Sequence, residues 1–143
     1  MDLSSEEARA RLAAARVARL ATVGRGGRPH LVPVTFVLWG DTIAIAVDHK
    51  PKRTTALERL RNVRADPRVT VLADHYEEDW SRLWWVRADG LARVVEDERE
   101  RVEPVRRLCG KYPQYRGREP GGPVILIRVT SIRGWAYGPS PAA

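Results

Sequence analysis

The sequence predicts a mainly β fold with flanking helices: a small barrel of about six to seven antiparallel strands, with residues 1–143 forming one domain. Apolar or alternating runs follow one another through short turns, as antiparallel neighbours require. Helical periodicity occurs at the start, once in the middle and once late, rather than after every strand as in a βαβ sheet. A hydrophobic fraction of 43% over this length is enough for a real core.

Ser4 and Glu7 have capping-box spacing, so SSEEARARLAAAR (4–16) should open the chain as an Ala-rich helix with Ala8, Leu12 and Ala15 on its apolar face. VARLATVG (17–24) is the first strand. GRGGR then turns the chain, with Gly26 and Gly27 able to take positive φ, into PHLVPVTFVL (29–38). That second strand would present Leu31, Pro33 and Thr35 on one face and Val32, Val34 and Phe36 on the other. Trp39, Gly40 and Asp41 turn into TIAIAVD (42–48). DHKPKRTT breaks the sheet, and ALERLRNVRADP reads as a helix stopped at Asp66-Pro67, because the residue before proline avoids the helical region. RVTVLADHY (68–76) is a fourth strand, and the acidic EEDWSR joins it to a long fifth, RLWWVRADGLARVV (82–95). Gly90 in the middle of that strand suggests a bulge or bend at a barrel corner. EDERERVEPVRRLCGKY is a third helix, interrupted or restarted at Pro104. GPVILIRVTSIRGWAYG supplies one or two final strands, and PSPAA (139–143) is a frayed tail.

Charge is distributed unevenly. Between Lys50 and Arg68 seven basic residues face two acidic ones, within a chain total of +7. Cations gathered where a sheet ends and a helix begins suit a phosphate, because Lys and Arg donors are joined there by free backbone N–H groups. Elsewhere acidic residues interrupt the basic ones, and no zinc-finger or RNP-type signature accompanies the pI of 10.3, so a nucleic-acid partner is not expected. No apolar run approaches the roughly 20 residues of a membrane span, and MDLSSEEARARL is unlike a secretory signal; both point to a cytoplasmic protein. Cys109, the single cysteine, excludes an internal disulfide and a multi-cysteine metal site. Catalytic triad, metal-ligand cluster, Walker loop and GxGxxG fingerprint are all missing, and GRGGRP turns between strands instead of opening a helix. An enzyme built on this chain would leave its chemistry to a cofactor.

The strand pair ARLATVGRGGRPHLVPVTFVL, the third strand, the Lys/Arg turn, the helix end RNVRADPRVTVL and WVRADGLARV occur in an order that resembles the split β-barrel flavin and deazaflavin oxidoreductases. These are the pyridoxamine 5′-phosphate oxidase-like proteins, and in particular their coenzyme F420-dependent branch. The resemblance runs from Leu12 to Tyr137 and implies a split β-barrel (FMN-binding-like) homodimer with the cofactor in the groove between subunits. It further implies that Lys50, Lys52, Arg53, Thr54 and Arg59 hold the cofactor phosphate, that Val34 and Thr35 lie against its ring, and that Trp85 approaches it from the partner subunit. Phe36 and Trp135 are further cofactor-side residues, Trp80 and Trp84 suit an interface, and Arg87 shares the strand face of Trp85. Without the resemblance, Arg61 and Arg64 read as a solvated helix face, His30 as hydrogen-bonded scaffold, and Val34 and Thr35 as barrel packing.

The function implied is hydride transfer between a reduced deazaflavin and a small conjugated or unsaturated acceptor. No protein nucleophile takes part, and the proton comes from water or Tyr137. Coenzyme F420 is favoured over FMN because its acidic tail, beyond the phosphate, would use the cations around Arg53, Arg59 and Arg87. An FMN-dependent oxidase or reductase is one alternative, and a non-catalytic cofactor-binding or ligand-sequestering protein is another.

Overall fold

A computed structural model describes residues 1–47 and 54–138, without the side chains of 54–57. In chain order the elements are α1 (Ser5–Ala14), β1 (Ala18–Val23), β2 (Pro29–Val34), β3 (Val37–Trp39), β4 (Thr42–Ala46), α2 (Thr54–Ala65), β5 (Arg68–His75), β6 (Trp84–Val95), α3 (Glu98–Lys111) and β7 (Val124–Ala136). The seven strands form one sheet in the order β2-β1-β5-β6-β7-β4-β3, and every neighbouring pair is antiparallel.

The expected second strand over 29–38 is in fact two strands. β2 pairs with β1 and β3 with β4, at opposite ends of the sheet order, so the chain leaves one edge at Val34 and joins the other at Val37. The alternation of apolar residues continues through this crossing because Phe36 remains fully buried, which is why a break is invisible in the pattern. The sheet thus curls into a barrel whose two ends meet at Thr35-Phe36.

Local signals place the remaining elements. The Ser4 hydroxyl accepts the Glu7 N–H at 3.1 Å and caps α1, which buries Ala8 and Leu12 against the barrel. Gly26 and Gly27 take φ of 66° and 79° in a tight 3-10 turn between β1 and β2. The register of β6 against β7 shifts at Asp89/Gly90, with Thr130 of β7 as the extra residue, and a Cβ on Gly90 would lie 2.5 Å from the Arg128 carbonyl oxygen. A side chain is therefore excluded at this corner. α3 runs unbroken through Pro104, which is buried inside the helix; Asp97 caps its start by accepting N–H groups from Arg99 and Glu100. Among the described residues a single strand, β7, follows α3, and it runs for 13 residues.

Leu20, Ile43, Ile45, Val71, Val86, Ile125 and Ile127 fill the barrel together with Phe36, with α1 and Leu60 and Val63 of α2 packed against them. α3 covers β3 and β4 through Val105, Leu108 and Tyr112. No described helix is long and apolar enough to cross a membrane.

Candidate functional site

Where the two sheet ends meet, the C-terminal turn of α3 holds the crossing in place. The Tyr112 hydroxyl accepts the Phe36 N–H at 3.1 Å and shares its own proton between the carbonyls of Arg16 at 2.8 Å and Phe36 at 3.0 Å. Burial pushes this hydroxyl above its ordinary pKa, which keeps the proton it donates. Next to it, Thr35 Oγ1 and Tyr115 Oη are hydrogen-bonded at 2.7 Å. The Arg16 guanidinium stacks 4.8 Å from the Tyr112 ring centroid and donates to the Lys111 carbonyl at 2.9 Å. Lys111 Nζ sits 3.9 Å from the Phe36 ring centroid with no hydrogen-bond partner among the described residues. Burial, then the charge of Arg16, lowers its pKa to about 8.

β2 is the sheet edge beside this knot. On its outer side its backbone pairs with no strand among the described residues, so a row of N–H and C=O groups is left open. Val34 turns its side chain into the core and is 6% exposed, so only its backbone reaches the edge. Thr35 is half-buried and fixed by Tyr115.

The outer face of β2-β1-β5-β6 forms a second feature. Leu31, Ala21, Thr70, Leu72 and Trp85 line a shallow cavity of about 380 Å³ flanked by Arg19 and Arg87, and Leu31 is 67% exposed. Arg87 stacks 5.8 Å from the Trp85 ring centroid, and its Nε lies 3.8 Å from Asp89. Pro33, Arg19, Leu72 and Arg87 occupy one row across the four strands. Thr35 and Trp85 each lie two residues further along, in the next row, three strand spacings or about 14 Å apart. The structure therefore does not bring Trp85 to Val34 and Thr35 within one chain. Trp85 lies opposite Trp135, whose ring meets Tyr137 edge-on at 6.5 Å, whereas Trp84 faces α1 with Arg11 5.4 Å from its centroid.

Of the cations expected to hold a phosphate, Lys50, Lys52 and Arg53 lie outside the described residues. Thr54 begins α2, and Arg59 is half-buried one turn and a half later. The same helix borders a cavity of about 970 Å³ opposite the turn between β1 and β2, lined by Arg25, Arg28, His30, Glu58, Arg61 and Asn62 among others. Asn62, 6% exposed, donates to Thr22 Oγ1 at 3.0 Å and anchors α2 to β1 beneath this cleft. His30 Nε2 lies 3.5 Å from Glu58. At the cleft rim Arg68 grips Asp66 with two side-chain contacts of 3.0 and 2.7 Å and its backbone N–H at 3.1 Å, holding that carboxyl down at about 2.

Tyr112, Tyr115 and Asn62 were not singled out from the sequence. Their partners lie 40 to 96 positions away in the chain, and only the hydroxyl of a tyrosine just after a helix hints at such a stitch.

Residues 4–136 match the family described as pyridoxamine 5′-phosphate oxidase. Among solved structures, a conserved hypothetical protein from Mycobacterium tuberculosis is 21% identical with a TM-score of 0.76, over 99% of this chain and 92% of that one. A FAD-binding protein from Mesorhizobium loti is 22% identical with a TM-score of 0.71, over 94% of this chain and 95% of that one. A heme-binding protein from Mycobacterium smegmatis is 25% identical with a TM-score of 0.74, over 94% of this chain and 55% of that one. No curated protein matches the chain.

Proposed function

The chain belongs to the pyridoxamine 5′-phosphate oxidase family and has its split-barrel fold, and on that premise we propose that it is an oxidoreductase holding a flavin-type ring cofactor at the β2 edge. The cofactor in this reading is coenzyme F420, and the acceptor is a small conjugated or unsaturated molecule.

The observation that carries the reading is the open edge itself. β2 ends the sheet, its outer backbone groups have no strand partner among the described residues, and it runs out at a threonine fixed by Tyr115. The pyrimidine edge of an isoalloxazine-type ring presents donors and acceptors in a line, and a strand edge answers them in kind. Val34 would contribute its backbone and Thr35 its hydroxyl region. Lys50, Lys52, Arg53, Thr54 and Arg59 would hold the phosphate. Trp85, about 14 Å from Thr35 by strand spacing, would come from a second copy. The apolar face around Leu31 and Leu72 suits that pairing, since aromatic and aliphatic residues fill the cores of such interfaces.

A cofactor of this class supplies the hydride when bound. The protein's part is to orient the ring through the β2 backbone, to exclude water with the paired aromatic faces, and to offer a proton from Tyr137, which is 55% exposed near Trp135. FMN is the alternative cofactor; the FAD binding of the Mesorhizobium loti protein of the same fold supports a flavin in general.

The test is parallel titration of the apo-protein with coenzyme F420 and with FMN, followed by tryptophan fluorescence, with sedimentation velocity on the same samples. Saturable F420 binding to a dimer, followed by acceptor-dependent oxidation of the reduced cofactor, is the expected result. Binding of FMN alone moves the reading to a flavin enzyme, and binding without turnover leaves a cofactor carrier. Binding of neither removes the cofactor reading altogether.

A further inference from the structure

The cleft between the Arg25–Gly27 turn and α2 lies at the opposite end of β2 from Thr35, about 17 Å away along the strand at its usual rise per residue. Arg25, Arg28 and Arg61 line it, and none of the three forms an ion pair with any described residue. The other cation at the rim, Arg68, is already engaged by Asp66, and Glu58 faces His30. Three arginines thus line a concave space of about 970 Å³ without an ion pair to either of its carboxylates, Glu58 and Asp66. Arginines elsewhere in the chain do meet carboxylates: Arg9 pairs with Asp41, Arg93 with Glu100, and Arg106 and Arg107 with Glu103. Neighbouring like charges repel, so such a group is stabilised by a bound anion.

We propose that this cleft is an anion-binding subsite, with Arg25, Arg28 and Arg61 as donors, that takes the second anionic group of the cofactor: a carboxylate or phosphate carried beyond the first phosphate. The inference rests on the cofactor reading above and adds a discrimination to it. Arg59 and Arg61 both stand on α2, two positions apart and so on different sides of the helix, and it is Arg61 that lines the cleft. A ring lying at Thr35 reaches it only through a chain that continues past one phosphate. FMN stops there, whereas FAD carries a second phosphate and coenzyme F420 an acidic tail. The buried Asn62–Thr22 bond fixes the floor of the cleft, so the arginines are displayed on a rigid support.

The experiment titrates FMN, FAD, coenzyme F420 and inorganic pyrophosphate into the wild type, into Arg28→Gln/Arg61→Gln and into Glu58→Gln. In the wild type, the cofactors with a second anionic group should bind at least about tenfold more tightly than FMN. The double variant should lose that advantage while FMN affinity changes by less than about threefold. Glu58→Gln removes a negative charge from the lining and should tighten pyrophosphate binding about threefold, a gain that misfolding cannot imitate. Equal affinities for all three cofactors in the wild type, or an equal loss for all three in the double variant, would overturn the proposal. Pyrophosphate bound by the wild type but not by the double variant, with none of the cofactors bound, would refute the cofactor reading and keep the cleft as an anion site only. No pyrophosphate binding to the wild type overturns the cleft itself, whatever the cofactors do.

Discussion

Replacing Tyr112 with phenylalanine removes one oxygen from the point where the barrel closes, and its cost follows from the geometry. The ring stays, so contacts with Leu108 and the stacked cations of Arg16 and Lys111 are retained. The Phe36 N–H loses its acceptor at 3.1 Å, inside a residue that is fully buried, and the carbonyls of Arg16 and Phe36 lose the donor they share. An orphaned buried N–H costs about 1–3 kcal/mol and a lost donor about 1 kcal/mol more, giving roughly 2–4 kcal/mol. At about 3 °C per kcal/mol for a domain of this size, Tm should fall by about 6–12 °C. Thermal unfolding followed by circular dichroism measures it, with Tyr115→Phe as the control. That control loses only the half-buried bond to Thr35 and should cost about 1 kcal/mol. A Tyr112→Phe midpoint within about 2 °C of wild type would show that the hydroxyl does not hold the crossing, because such a shift is under about 1 kcal/mol.

Three further substitutions test other parts of the same structure. Gly90→Ala places a Cβ 2.5 Å from the Arg128 oxygen and 2.7 Å from Ile127 Cγ2, so it should destabilise by about 3 kcal/mol or more; a denaturant midpoint equal to wild type would contradict that packing. Lys111→Met removes an ammonium whose folded pKa is depressed to about 8 from 10.5. The unfolded chain holds the Lys111 proton more tightly, so wild-type stability should rise between pH 8 and 10.5. Discounted for partial exposure and for the lost contact with Phe36, the variant should be more stable at pH 7 by up to about 1 kcal/mol, and paired melts at pH 7 and 10 should show the gap closing. The Asp66 carboxyl, observed by NMR titration, should show a midpoint near 2 and return toward the ordinary carboxylate range in Arg68→Gln; an unchanged midpoint would mean that Arg68 is not its cause.

The strands were legible wherever one face is buried and a turn residue ends the run. β1, β5 and β6 follow this rule, the helices around residues 5–14 and 54–65 start and stop at Ser4 and Asp66-Pro67, and the Gly90 corner was visible as a glycine where β-branched residues dominate. The β2/β3 crossing was not legible, because buried Val34 and Phe36 keep the alternation of one long strand while their partners change from β1 to β4. Pro104 misled in the other direction: packing of Val105 and Leu108 against the barrel outweighs one missing hydrogen bond. At the site, composition marked the cationic region but not its division. Pairing by Asp66 and Glu96 takes Arg68 and Arg64 out of play, while the turn at Gly26 and Gly27 brings Arg25 and Arg28 to Arg61. Such convergence depends on which hairpin faces which helix, a long-range fact.

β7 also sets the order in which the protein can be made. It lies between β6 and β4, and among the described residues β4 joins the rest of the sheet through it. Until residues 124–136 have left the ribosome, the β3-β4 hairpin has no strand to dock on, and the apolar row of Ile43 and Ile45 lies open to other chains. Completion of the barrel therefore waits for β7, the last of these seven strands in chain order. Truncations that stop short of β7 should yield aggregates and not a smaller folded domain.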